Sequence, residues 1–309
     1  MKQFPAPSCA PVPDAFNVYQ RWQQRDDAEN FTRNLAFLQK NVITSTSGYA
    51  FTQAAQWVFC HVPKTGGTTL ENILARNVPL KDILRINAPV LNHCPCSYGA
   101  TGRHPRLVMG HHPLHGLVYQ LLADAPLFHM TFIRHPLARV VSWFNYLKTR
   151  PEHLLHARIQ SMDLDEFLQQ PDLVEIRNGQ CRRLTGHLHQ QTTPEDATLF
   201  QQAKQVLDTA FSFVGTTERF DESLLVVKKQ LGLTDIFYQP LNTSKKIATP
   251  EALNQSQRQC ILNMNQADIA LHEWACQRLS ALIDKYLPPH SLERFRKNNR
   301  RWQRLLDEM

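Results

Sequence analysis

The stretch Trp57-Val58-Phe59-Cys60-His61-Val62-Pro63-Lys64-Thr65-Gly66-Gly67-Thr68-Thr69 passes from β-favouring apolar residues into a glycine pair, then into helical spacing at Leu70, Ile73 and Leu74. The pattern predicts a strand over Trp57–His61, a turn over Val62–Gly67 and a helix from Thr68 to about Arg76. In such a unit the glycines turn sharply, and the exposed backbone N–H groups and the positive helix end meet at one point that attracts an anion. Lys64 adds a full charge there, and the hydroxyls of Thr65, Thr68 and Thr69 can donate to phosphate or sulfate oxygens. The lysine precedes the glycine pair instead of following the second glycine, so this is not the GxxxxGK[ST] loop of nucleoside triphosphatases. The plain alternative is an ordinary strand-to-helix turn with a threonine cap.

Working outward, further strands are predicted at Leu107–Met109, Leu127–Ile133 and Phe211–Gly215, and a helix from about Leu137 to Lys148. Helical patterns run from Pro194 to about Thr209 and from Glu218 to Leu231, with two more between Pro250 and Tyr286. This alternation implies an α/β protein: a P-loop-like three-layer fold with a central, mainly parallel sheet flanked by helices. Residues 1–50 read as a polar arm with helical periodicity around Phe31–Leu38, residues 51–290 as the core domain, and residues 291–309 as a basic amphipathic tail. Arm and tail both read as appendages.

A 309-residue chain with 42% hydrophobic residues can bury a sizeable core. Its seven cysteines are odd in number and scattered, with only Cys94 and Cys96 close together, which suits a reducing compartment better than a disulfide framework. No apolar run is long enough to span a membrane, and the first 25 residues lack the apolar run of a signal peptide. The expectation is a cytoplasmic protein, with a trimmed piece of a Golgi-luminal enzyme as the alternative. A formal charge of +7 favours an anionic ligand without choosing among nucleotide, nucleic acid, membrane surface and acidic glycan.

Three more segments carry chemistry. Val108-Met109-Gly110-His111-His112-Pro113-Leu114-His115 places histidines directly after a predicted strand, at the sheet edge where open α/β folds bind ligands. A neutral imidazole there can accept a proton near neutral pH. The cluster also raises a metal reading, but no further ligand stands at sensible spacing, so no metal is expected. Phe132-Ile133-Arg134-His135-Pro136 runs on to Ser142, and Asn178-Gly179-Gln180-Cys181-Arg182-Arg183-Leu184-Thr185-Gly186 precedes Phe213-Val214-Gly215-Thr216-Thr217-Glu218 and Leu241-Asn242-Thr243-Ser244-Lys245.

Together these segments resemble the carbohydrate sulfotransferases that use 3′-phosphoadenosine 5′-phosphosulfate (PAPS), in particular the heparan sulfate 2-O- and 6-O-sulfotransferase-like group and its bacterial relatives. The match covers about Trp57 to Lys245. The resemblance implies that Lys64, Thr65, Gly66, Gly67, Thr68 and Thr69 bind the 5′-phosphosulfate. It implies that Arg134 and Ser142 bind the 3′-phosphate, and that Thr243, Ser244 and Lys245 close over the nucleotide. Arginine at a strand end with serine in the second turn of the next helix can converge on one phosphate, and a positive charge at a helix start is otherwise disfavoured. His135 stands where the family has aspartate, which puts the hydrogen bonds of that carboxylate in question.

Matching on the preceding glycine selects His111 as the catalytic base, with His112 as the alternative, and Arg182 as a residue facing the acceptor. The acceptor is then a glycan or another hydroxyl-bearing molecule, with no nucleic acid as partner. Two other accounts remain. One is a P-loop-type kinase or nucleoside triphosphatase binding ATP and magnesium. The other is a non-enzymatic binder of acidic polymer through Arg294–Arg304.

Overall fold

A computed structural model describes residues 27–44, 50–86, 104–188, 193–239 and 247–308. The elements run in the order α1 (Asp27–Asn41), β1 (Gln56–Cys60), α2 (Gly67–Arg76), β2 (Ile83–Ile86), β3 (Leu107–Gly110), β4 (Leu127–Ile133) and α3 (Pro136–Thr149). Two short helices follow, α4 (His156–Ile159) and α5 (Leu164–Leu168), then α6 (Gly179–Leu184), α7 (Asp196–Ala210), β5 (Phe213–Thr216) and α8 (Phe220–Leu231). The chain finishes on α9 (Gln255–Asn263), α10 (Gln266–Tyr286) and α11 (Ser291–Asp307).

All strand pairs are parallel, in the order β2-β3-β1-β4-β5. Parallel strands covered on both faces read as near-continuous apolar runs, and every residue of β1, β3, β4 and β5 is buried. Period-two alternation divides them between two cores. Val58 and Cys60 of β1 and Ile133 of β4 join one cluster with α7 and α10, while Trp57, Phe59, Phe128, Met130 and Phe132 join the other with α2 and α8. Each fully buried aromatic contributes about 2 kcal/mol of transfer free energy, so the six apolar side chains of Trp57, Phe59, Phe128, Met130, Phe132 and Phe213 anchor that face. A third cluster packs α3 through Val140, Phe144 and Leu147 against Phe167, Ile176 and Ile261, building one wall beside the sheet edge.

β1 has β3 on one side and β4 on the other, so the chain departs from it in opposite directions, which opens a crevice at the carboxyl ends of these strands. Register aligns those ends: Cys60 pairs with Gly110, and Ile133 with Thr216.

The strands and helices expected in the core domain form within a few residues of their expected limits. The edge strand β2 was not anticipated, being four residues of ordinary-looking Ile-Leu-Arg-Ile between turns. The stretch around Phe31–Leu38 is no appendage, because Leu38 is fully buried and Val42 bridges to Leu127. Nor is the basic tail: Phe295 stacks on Phe237 at 6.1 Å, and Asn299 holds both the N–H and the C=O of Tyr238.

Gly110 ends β3 at φ +136°, where an added Cβ would lie 2.2 Å from the Ile86 carbonyl oxygen. Backbone strain and overlap together should make Gly110→Ala destabilising by about 3 kcal/mol, read as a lower urea midpoint in equilibrium unfolding. An unchanged midpoint would show that β2 can give way.

Candidate active site

The turn after β1 is held from behind. Thr65 is fully buried, its hydroxyl donates to the Val62 carbonyl at 2.7 Å, and its own carbonyl accepts from the Thr217 hydroxyl at 2.7 Å. The Arg139 Nε donates to the Pro63 carbonyl at 3.1 Å, and Arg134 Nη1 to the Lys64 carbonyl at 3.1 Å. Lys64 itself takes a left-handed backbone at φ 69°, a costly conformation for a side chain with a Cβ and one that marks a constrained turn. Gly67 opens α2 against the face of His61, whose ring atoms would lie 2.1 to 2.6 Å from an added Cβ. The first N–H groups of α2 have no acceptor within their own helix, so the turn offers them to a ligand.

That turn forms one side of a cleft of about 890 Å³. Of the residues singled out in the sequence, Lys64, Gly66, Gly67, Thr68, Thr69, His111, Arg134 and Ser142 all line it. Thr65 does not, since its hydroxyl is spent inside the turn. Arg182 lies away from the cleft, near Arg177 and Asp268, and the neighbouring Arg183 lines it instead. Residues one apart on a helix point about 100° apart, and here that step decides which arginine reaches the opening. Thr243, Ser244 and Lys245 fall outside the described residues. Sequence reading missed Arg150 and Tyr146 on the cleft wall, and Arg139 and Glu175 behind it.

Arg134 is aimed by its backbone. Gln180 accepts from the Arg134 N–H at 2.9 Å and donates to its carbonyl at 2.9 Å, while fully buried Asp268 accepts from the N–H groups of Gln180 and Cys181 and so caps α6. The asparagine–glutamine pattern at Asn178 and Gln180 is therefore a clamp on a strand end 46 residues away. Arg139 reaches from the next turn of α3 to Glu175, which also takes Arg183. Burial works against the Glu175 charge, but Arg183 and Arg139 outweigh it and hold the carboxyl below its ordinary value. His135 answers the question of the missing aspartate: its Nδ1 accepts from the Leu137 N–H at 3.3 Å, so an imidazole lone pair caps α3.

His111 and His61 sit side by side, ring centroids 4.1 Å apart, at the aligned ends of β3 and β1. The His111 Nδ1 lies 3.0 Å from the His61 carbonyl. A carbonyl can only accept, so Nδ1 carries the proton and Nε2 keeps a lone pair. Enclosure by the cleft walls, together with His61, holds the His111 charge well down, at about 4. His112 points the other way, into the core, 4% exposed.

Basic groups dominate the cleft: among the described residues Lys64, Arg134, Arg150 and Arg183 line it against a single carboxylate, Glu152. Burial, then Arg134, Arg150 and Arg139, push the Lys64 ammonium down to about 8. It lies 4.0 Å above the Tyr146 ring. Arg134 Nε is buried and without a partner among the described residues. These are cations arranged for an anion.

Fold and cleft define an α/β protein with a cation-lined cleft at a strand–turn–helix unit, and an imidazole faces the same space. Residues 47–275 match the model of the Sulfotransferase family, and the chain belongs to that family. It is 26% identical over 239 residues to galactose-3-O-sulfotransferase 3 of Mus musculus, covering 70% of this chain and 54% of that protein. The same protein of Bos taurus is 27% identical over 224 residues, 65% of this chain and 52% of its own, and that of Homo sapiens 25% identical over 239 residues, 70% and 54%. The chain thus spans about half the length of the curated relatives it matches. The resemblance drawn from the motifs is borne out at the level of carbohydrate sulfotransferases. The cytoplasmic expectation is overturned, because these relatives are Golgi galactose sulfotransferases, luminal rather than cytoplasmic. Among the described residues no helix is long and apolar enough to cross a membrane.

The depressed Lys64 has a measurable consequence. Above about pH 8 the free protein loses the ammonium, whereas a bound anion favours the charged form, so the cleft's affinity for an anion, with adenosine 3′,5′-bisphosphate as the probe, should fall as pH rises through 8. Between that pH and the ordinary lysine value of about 10.4, binding should take up a proton. Titration calorimetry in buffers of different ionisation enthalpy measures that uptake, which Lys64→Met should abolish.

Proposed function

We propose that this chain is a sulfotransferase that moves the sulfuryl group of PAPS to a sugar hydroxyl, with the 3-hydroxyl of galactose as the first acceptor to test. The observation that carries the reading is the convergence of Lys64, the glycine turn, Arg134, Ser142 and a neutral His111 on one cleft. The galactose acceptor comes from the names of the relatives.

The residues fit a ligand with anions at both ends. Lys64 and the N–H groups of Gly67, Thr68 and Thr69 hold the 5′-phosphosulfate, and Arg134, whose Nε has no partner among the described residues, holds the 3′-phosphate with Ser142. PAPS, when bound, supplies an activated sulfuryl group on a nucleotide leaving group. Lys64 balances the charge that builds on the bridging oxygen as the nucleotide departs. His111 Nε2 takes the proton of the attacking hydroxyl, while Nδ1–H stays on the His61 carbonyl and fixes ring and tautomer. Arg183, near enough to His111 to lower its charge, takes the acceptor-facing place first given to Arg182. Positioning and electrostatics do the rest, and the scheme needs no metal.

Assay with labelled PAPS and galactose-terminated glycans tests the reading. Lys64→Ala should lower kcat by about 100-fold or more. His111→Ala should abolish transfer while binding adenosine 3′,5′-bisphosphate within about threefold of wild type. Because His111 is held neutral, the acid limb of kcat/KM should lie below the ordinary histidine value of about 6.5. Full turnover in His111→Ala sinks its role as base. Tighter, magnesium-dependent binding of ATP than of the bisphosphate sinks the donor.

A further inference from the structure

A second cluster lies just beneath the cleft floor, and the proposed transfer does not use it. Cys60 closes β1, His129 sits within β4, and His112 follows β3, all on the sheet face that carries the α7 and α10 core. The Cys60 Sγ and one ring nitrogen of each histidine lie within 4.8 Å of one another. Cys60 is 5%, His112 4% and His129 0% exposed. Tyr119, also buried, sets its hydroxyl 3.2 Å from His129 Nε2.

A polar census of the cluster does not close. His129 Nδ1 donates to the Ala210 carbonyl at 2.6 Å, which leaves its Nε2 with a lone pair. The Cys60 thiol lies 3.4 Å from the His112 carbonyl oxygen. Both ring nitrogens of His112 are buried with no hydrogen-bond partner among the described residues. A buried imidazole in that state forfeits a donor and an acceptor at once, and such a group calls for a specific explanation. A hydrophobic core has no use for it.

We propose that Cys60, His112 and His129 ligate one thiophilic metal ion of the zinc class, with the adjacent Tyr119 hydroxyl as the fourth ligand. Tetrahedral zinc binds sulfur at about 2.3 Å and imidazole nitrogen at about 2.0 Å, so its ligand atoms stand about 3.5 Å apart. The three ligand atoms, within 4.8 Å of one another, would draw together by about 1 Å on loading. The His129 Nδ1–H on a backbone carbonyl is the outer contact that orients a metal-bound histidine. Binding displaces the thiol proton of Cys60 and forms a zinc–thiolate bond. Loss of the Tyr119 proton on ligation would leave the site neutral, which suits its depth. The ion would tie the ends of β1, β3 and β4 together directly behind His111.

The test uses the full chain freed of metal by chelator, then loaded with Zn²⁺ or Co²⁺ and passed through gel filtration. About one zinc per chain should be retained, and the cobalt form should show thiolate-to-metal absorption with the visible bands of a tetrahedral site. Cys60→Ser should lose both, His112→Ala should weaken zinc at least about tenfold, and the double variant Cys94→Ser/Cys96→Ser should keep both. Should the core variants fail to fold, the wild-type cobalt spectrum still decides. Wild-type protein that retains no zinc and shows no thiolate–cobalt absorption overturns the proposal, as does a spectrum that survives Cys60→Ser.

Discussion

The structure depends on keeping several positive charges together in a partly dehydrated cleft. Lys64 and Arg134 converge there at a cost, visible in the lowered lysine and in a guanidinium nitrogen without a partner among the described residues. A fold tolerates such a cost where function returns it, and an incoming dianion would do so by satisfying cations and N–H groups already in place. Because the donors are fixed before the ligand arrives, little reorganisation is left for the reacting state.

Holding the cations apart from bulk water requires a support that is itself charged. Glu175 accepts from both Arg139 and Arg183, and Arg139 extends to the Pro63 carbonyl, so one half-buried carboxylate links the turn after β1, the helix after β4 and α6. Removing one partner of such a network strands the others, which makes it rigid in a way an apolar contact is not. Gln180 does the same with neutral groups, clasping the Arg134 backbone from both sides under the cap of Asp268. The cleft walls are thus three non-adjacent segments locked to one another before any ligand binds.

Much of this was legible in the sequence because the chemistry sits in local runs. The glycine turn, the arginine at the end of Phe132-Ile133 and the glycine–histidine pair each lie where an apolar strand stops, and strand ends are readable from period and composition. What escaped was whatever depends on which way a helix or chain end faces. Arg183 and not Arg182 meets the cleft, a choice set by the packing of α6 on α10. Leu38 and Phe295 sit in stretches too polar on average to declare themselves, although each is buried in a core. β2 is too short to carry a pattern, yet its Ile86 carbonyl is the reason Gly110 must be glycine.

The adjacent histidines His111 and His112 show how finely such readings hang on register. Successive side chains at the end of a strand point to opposite faces, so the residue after Gly110 turns toward the cleft and the next one turns down into the core. Sequence alone left the choice of base between them, since both carry the same imidazole and differ by one position of loop. Their surroundings separate them completely. His111 has its Nδ1 proton occupied by a carbonyl and its ring facing the cleft, whereas among the described residues neither His112 nitrogen has a partner, and its ring lies beside Cys60 and His129. The first is the arrangement a proton acceptor needs, and the second is useless for proton transfer because no substrate atom can reach it. One pleat of a strand has therefore divided two identical side chains between an open cleft above the sheet edge and a closed Cys–His cluster below it.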